Sequence, residues 1–237
     1  MQPDSISLIQ EHFQYITELR SKLFSSFIFF TIGMILSFLL SNQIIILGLK
    51  LFNLQGVNIV MTSPFQFVGL SFTISIIIGI ITALPVFVYQ VLRFIKPALH
   101  KHEYSMLLKL LPWSLLLFII GFSFGVWIMR YVVLIYAAAA KGLQVGNFWD
   151  IQKLFSAVFM TATLLGLAFQ FPIICTSLIR FNFIQRKSLV KRRRYIYAFL
   201  VLFVILLPPT DYFSDFILAA PLLLLFEITM LINRAYA

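Results

Sequence analysis

Eight acidic side chains in 237 residues are few enough to weigh one at a time. Glu18 stands four residues before Lys22, at the edge of the first long apolar run, and Glu103 lies between Lys101 and Lys109. Each reads either as a surface ion pair, worth at most about 1 kcal/mol when exposed, or as half of a carboxylate pair offered to a cation. Arginine suits such a pair, because its planar fork holds a carboxylate through two parallel hydrogen bonds. A third polar group, Gln170, lies within Ala168-Phe169-Gln170-Phe171-Pro172, inside an apolar run. An amide in hydrocarbon is costly unless it is bonded, and Pro172 frees the carbonyl near residue 168. Two readings stay open. Gln170 satisfies that broken backbone or a neighbouring helix of this chain, or it is a polar handle for a partner helix.

The motifs of phosphate-binding, hydrolytic and dinucleotide-binding enzymes are absent from the chain, so the protein is not expected to be an enzyme or to carry a cofactor. His100-x-His102-Glu103 is a weak metal motif, since three sequence neighbours do not readily wrap one ion; no metal is expected. Cys175, the single cysteine, sits in an apolar run and reads as a small packing residue. Energy for any transport must then come from a gradient or from partners.

The elements that position these groups are membrane helices. The composition is 61% hydrophobic and 11% charged, where a soluble domain carries roughly 25% charged residues. A spanning helix needs about 20 mostly apolar residues at 1.5 Å rise each, and it must be helical because lipid offers a bare amide no partner. The uncharged runs predict six spans in one polytopic domain over residues 1–237, at about 23–40, 68–92, 110–129, 154–179, 195–208 and 213–231. Pro208-Pro209-Thr210-Asp211 reads as a tight turn. The last two spans are expected to be short, a hairpin that falls below the thickness of the hydrocarbon. Fourteen of the 18 lysines and arginines fall on the side of the two termini, against four on the other, so both termini are expected in the cytoplasm. The densest cluster, Arg186, Lys187, Lys191, Arg192, Arg193 and Arg194, reads as topogenic charge with attraction to anionic lipid. Because the net charge of +10 is dispersed between apolar runs, nucleic acid is not expected as a partner.

Nearly the whole chain resembles the TatC family, the core subunit of the twin-arginine protein translocase. The resemblance is carried, in order, by Glu18-Leu19-Arg20-Ser21-Lys22-Leu23, Ser63-Pro64-Phe65, Pro85, Tyr89-Gln90 and Phe94-Ile95-Lys96-Pro97-Ala98-Leu99-His100-Lys101-His102-Glu103. It continues through Phe169-Gln170-Phe171-Pro172, Arg192-Arg193-Arg194-Tyr195, Pro208-Pro209-Thr210-Asp211 and Leu225-Phe226-Glu227. It implies an all-α membrane protein of six spans, N-in and C-in. It also implies a receptor that binds the twin-arginine signals of folded cargo through Glu18, Arg20, Phe94, Pro97, Leu99 and Glu103. Single-span TatA- and TatB-type subunits would dock along the fourth to sixth spans, near Gln170 and Pro172, with self-association and the proton-motive force driving transport. Pro85, Asp211 and Glu227 match structural positions. Two departures stand out: Tyr15 replaces a frequent histidine, and Gln170 replaces the usual glutamate.

The competing reading is a small-solute secondary transporter, which would carry charged or broken helices at the midplane and an inverted repeat; the chain offers one glutamine and no repeat. The bacterial plasma membrane is the first expectation for location, with a thylakoid or mitochondrial inner membrane as the alternative.

Overall fold

The computed structural model describes residues 24–52, 58–95, 110–143, 146, 148–180, 183–208 and 212–236. Helix α1 (Phe24–Leu39) bends by 73° into α2 (Ser41–Phe52). Ser41 and Asn42 occupy the corner, where short polar side chains favour a helix start over a helix interior. Helix α3 (Phe65–Ile95) runs for 31 residues and contains Pro85. Helix α4 (Leu110–Gly142) runs for 33. Beyond them lie α5 (Ile151–Ala168), α6 (Phe171–Arg180), α7 (Arg186–Lys191), α8 (Arg193–Ile205) and α9 (Tyr212–Ile232), closed by a 3-10 turn at Asn233–Tyr236. Among the described residues, four helical stretches are long and apolar enough to cross a membrane, or five if the bent α1–α2 pair counts as one.

Four expectations need amendment. The third helix does not stop at Met129 but continues through Arg130 to Gly142, because Tyr131–Ala140 holds neither proline nor glycine and ends in four alanines, the best helix formers. The fourth span is not one helix, since it breaks at Phe169-Gln170 between α5 and α6. The last helix is not short by length: α9 has 21 residues, about 31 Å at 1.5 Å each, although α8 has only 13. Finally, the all-α reading omits two three-residue strands. β1 (Asn58–Val60) and β2 (Phe148–Asp150) pair in parallel, with Ile59 opposite Trp149. Three residues carry no readable period, and their partners lie 90 positions away, so no local pattern announces them.

Helix α4 packs closely on α5 through glycines. A Cβ at Gly125 would sit 2.6 Å from the Ala162 Cα, and one at Gly121 2.6 Å from the Phe169 ring. Lipid supplies no hydrophobic drive between helices, so close backbone approach over small residues is what holds such pairs. Around this seam lie two apolar clusters. Leu165, Val204, Leu218, Phe226 and Met230 join α4–α5 to α8 and α9. Leu70, Ile74, Phe155 and Val158 join the same pair to α3.

Candidate functional site

Of the residues expected to meet a signal, Glu18, Arg20, Pro97, Leu99 and Glu103 lie outside the described residues, as does Asp211. Phe94 is described only as part of the last turn of α3. What is described is the frame from which these segments leave. Ser26, in the first turn of α1, donates a 2.7 Å hydrogen bond to Oε1 of Gln90, near the end of α3. Both side chains are buried. A hydrogen bond between buried side chains 64 positions apart ties the root of the Glu18 segment to the root of the Glu103 segment. Gln90 stands inside the apolar run expected as the second span, so its amide needs a partner, but no local pattern names Ser26 as that partner.

At the break between α5 and α6, the Gln170 backbone N–H turns back to the Leu167 carbonyl at 3.0 Å, which leaves the Gly166 carbonyl without its helical donor. The Gln170 side chain supplies one. Its Nε2 reaches the Gly166 carbonyl at 3.5 Å and the Ser114 carbonyl at 3.0 Å, while its Oε1 accepts from Ser114 Oγ at 2.5 Å. Both amide hydrogens and the amide oxygen are therefore used inside the chain, and the side chain is buried. Of the two readings of Gln170, this geometry carries the intrachain one. Pro172 stands in the first turn of α6, where its missing N–H would have had no helical acceptor.

Glu227 on α9 accepts from the Tyr197 hydroxyl of α8 and lies 3.4 Å from Arg193. Arg186 Nε donates to the Met230 carbonyl at 2.8 Å, a cation at the negative end of α9. Asn233 donates to Thr176 at 3.0 Å and to the Thr229 carbonyl at 2.8 Å. At the other end of the hairpin, the Thr161 hydroxyl donates to the Pro208 carbonyl.

The far side of the molecule holds a clasp that the sequence reading did not weigh. Asp150 caps α5, its Oδ1 accepting from the Lys153 N–H at 2.9 Å. Its Oδ2 accepts from Thr62 Oγ1 at 3.0 Å and from Gln66 Nε2 at 2.6 Å. These bonds, led by the Lys153 backbone bond and opposed in part by desolvation, hold the carboxyl below its usual range. The signal was available: an aspartate directly before an apolar run is a helix N-cap. Asp150 also closes β2, so one side chain fastens the strand pair, the start of α3 and the start of α5.

Comparison with known proteins places this arrangement. The family model for the Sec-independent protein translocase protein (TatC) matches residues 14–221. The Sec-independent protein translocase protein TatCy of Bacillus subtilis is 31% identical over 242 aligned positions, covering 99% of this chain and 91% of that protein. TatC of Escherichia coli is 34% identical over 188 positions, covering 77% and 70%. A crystal structure of the twin-arginine translocase receptor TatC in DDM superposes with a TM-score of 0.82 at 28% identity, covering 93% of this chain and 99% of that one. With that match running from end to end of both the sequence and the helical frame, this chain belongs to the TatC family of Sec-independent protein translocase proteins.

Proposed function

We propose that this protein is the receptor core of a twin-arginine translocase, which binds the signals of folded cargo on its cytoplasmic face and gathers single-span partners around it. Glu18 and Glu103 hold the two signal arginines, each through a forked pair of hydrogen bonds. Arg20, Phe94, Pro97 and Leu99 shape the surface around them. TatA- and TatB-type helices dock along α5–α6, α8 and α9, a face that Gln170 and Pro172 shape from within. Both termini are cytoplasmic, the bacterial plasma membrane is the site of action, and the proton-motive force drives transport.

The observation that supports this reading most directly is the buried Ser26–Gln90 bond. Two carboxylates on separate segments can act on one dipeptide only if the roots of those segments are fixed relative to each other, and this bond fixes them. The family of the chain and its likeness to a structure described as a receptor point the same way. The test is photo-crosslinking of a twin-arginine signal peptide to the purified protein. Glu18→Ala/Glu103→Ala should lose most of the crosslink while still accumulating in the membrane. Near-normal crosslinking by that double variant would put recognition elsewhere on the molecule.

A further inference from the structure

The helices do not end at one level. Pro208, at the turn between α8 and α9, is tied to Thr161, so the first turns of α5, from Ile151 to Met160, rise beyond the hairpin. Helix α4 rises beside them as far as Gly142. At this step lies a cavity of about 470 Å³. Its walls are Met129, Val132 and Tyr136 on α4, spaced for one helix face, with Leu154 and Ala157 on α5. A second cavity of about 390 Å³ shares Val132 and Tyr136 and ends against Phe213 and Ser214 at the start of α9. Met129 and Leu154 belong to one core cluster and Val132 to the other, so this groove opens where the two clusters part.

The ties of the hairpin also set the depth of the groove in a bilayer. Thr176 is bonded to Asn233 and stands four residues before Arg180, at the charged end of the molecule. About 20 residues of helix cross the hydrocarbon, which from Thr176 reaches the neighbourhood of Ala157. The apolar walls therefore lie in the outermost hydrocarbon, and the outer end of the groove, formed by Trp149, Asp150 and Lys153, lies in the headgroup layer. Lys153 is exposed and Asp150 partly so. Among the described residues, Asp150 Oδ1 accepts one bond, from the Lys153 N–H, and a carboxylate oxygen has room for two. An ammonium and a carboxylate acceptor thus stand side by side at the end of an apolar groove.

We propose that the groove holds one molecule of phosphatidylethanolamine from the leaflet opposite the termini. Lys153 takes the phosphate, Asp150 Oδ1 takes a hydrogen of the lipid ammonium, and an acyl chain runs inward over Ala157 and Val132 towards Phe213. Charge complementarity selects this lipid. A cation beside an anion matches a headgroup with phosphate next to ammonium, whereas phosphatidylglycerol brings no cation and phosphatidylcholine has no N–H to donate. A partner helix would favour small residues that let backbones approach, but these walls present Met129, Tyr136 and Leu154. Trp149 and Tyr136 supply the amphipathic rings that the headgroup boundary favours.

The experiment reconstitutes the full-length protein in vesicles of equal phosphatidylethanolamine, phosphatidylcholine and phosphatidylglycerol. Separate samples carry a trace of one of the three with a photoreactive diazirine on an acyl chain, and the crosslinked peptides are quantified. The phosphatidylethanolamine probe should mark residues 129–136 and 154–157 about fivefold more than either other probe. Lys153→Gln should lower that marking about fivefold. Ala157→Trp, which fills the groove, should abolish it. Lys141→Gln, on the same side of the molecule but outside the groove, should leave it unchanged. Equal marking by the three probes would overturn the proposal, because the groove would then accept any acyl chain. So would full marking of Lys153→Gln, or a loss in Lys141→Gln as large as that in Lys153→Gln. Should Ala157→Trp fail to accumulate, the probe ratio and Lys153→Gln decide the matter. Complete displacement of the probe by an added single-span subunit would make the groove a protein interface instead.

Discussion

At the scale of single residues, the sharpest expectation concerns the geometry of the carboxylates. A fork–carboxylate contact is worth roughly 1.5–3 kcal/mol, so Glu103→Ala should weaken signal binding about ten- to a hundredfold. Glu103→Gln should be nearly as damaging, because the amide offers one acceptor where the fork needs two. Replacing a signal arginine by lysine should cost nearly as much, since a point charge cannot make the bidentate contact. Titration of labelled signal peptides against purified protein would check all three, and an Arg-to-Lys signal that binds at full strength would reduce the contact to plain charge attraction. Gln170 carries a different kind of expectation. Gln170→Leu would strip the Ser114 hydroxyl of its acceptor and the Gly166 carbonyl of its donor. It should destabilise the protein by roughly 1–2 kcal/mol, read as a lowered Tm in detergent. Gln170→Glu should be tolerated, because a protonated carboxyl can both accept from Ser114 and donate to a carbonyl.

At the scale of elements, two seams bear the load. Gly125 lets α4 lie against Ala162 of α5. Gly125→Ala would force the two backbones apart and should cost about 1–3 kcal/mol, again as a fall in Tm. The G-x-x-x-G spacing of Gly121 and Gly125 stood in the sequence as a readable signal for this seam. The second seam is the Asp150 clasp, and its pH dependence has a definite sign. Its folded-state pKa is lowered. The stability it contributes is therefore complete above the unfolded value of about 3.9 and is lost as pH falls through the lower folded value. Hydrogen exchange of residues 58–60 and 148–150 should stay slow at neutral pH and quicken only in strong acid. Asp150→Asn keeps an acceptor for Lys153 but faces Gln66 Nε2 with a donor, so it should exchange fast at every pH. Equally slow exchange in that variant would mean that the strand pair holds without the clasp.

For the whole molecule, the decisive relation is the register of the hairpin against the fourth span. Pro208 is tied to Thr161 and Asn233 to Thr176. The hairpin therefore occupies about 15 residues of α5–α6, roughly 22 Å at 1.5 Å per residue, although α9 is longer than that and contains Pro221. The hydrocarbon is about 30 Å thick. The bilayer beside Tyr195–Phe226 should be thinned, or water should enter above the Pro208 turn. Single cysteines from Ala198 to Leu206, probed with a membrane-impermeant thiol reagent, should become reactive well before the level of the helix ends on α5. A protected stretch of about 20 residues would show a bilayer of full thickness there.

The lengths and order of the apolar runs were enough to read a polytopic membrane protein from composition and spacing, whereas the TatC reading rested on the resemblance of the ordered motif blocks to that family. The runs sufficed because a membrane imposes a period and a length on each segment separately. Relations between segments were not legible in this way. That Gln170 closes on Ser114, that Ser26 meets Gln90, and that Asp150 gathers Thr62 and Gln66 depend on residues 56, 64 and 84 to 88 positions apart. A polar side chain in hydrocarbon announces that it needs a partner, but only the packing of the helices decides which one it finds. The hairpin shows the same division: its turn could be read from Pro208-Pro209, whereas its register against α5 was set by the bond of the Thr161 hydroxyl to the Pro208 carbonyl.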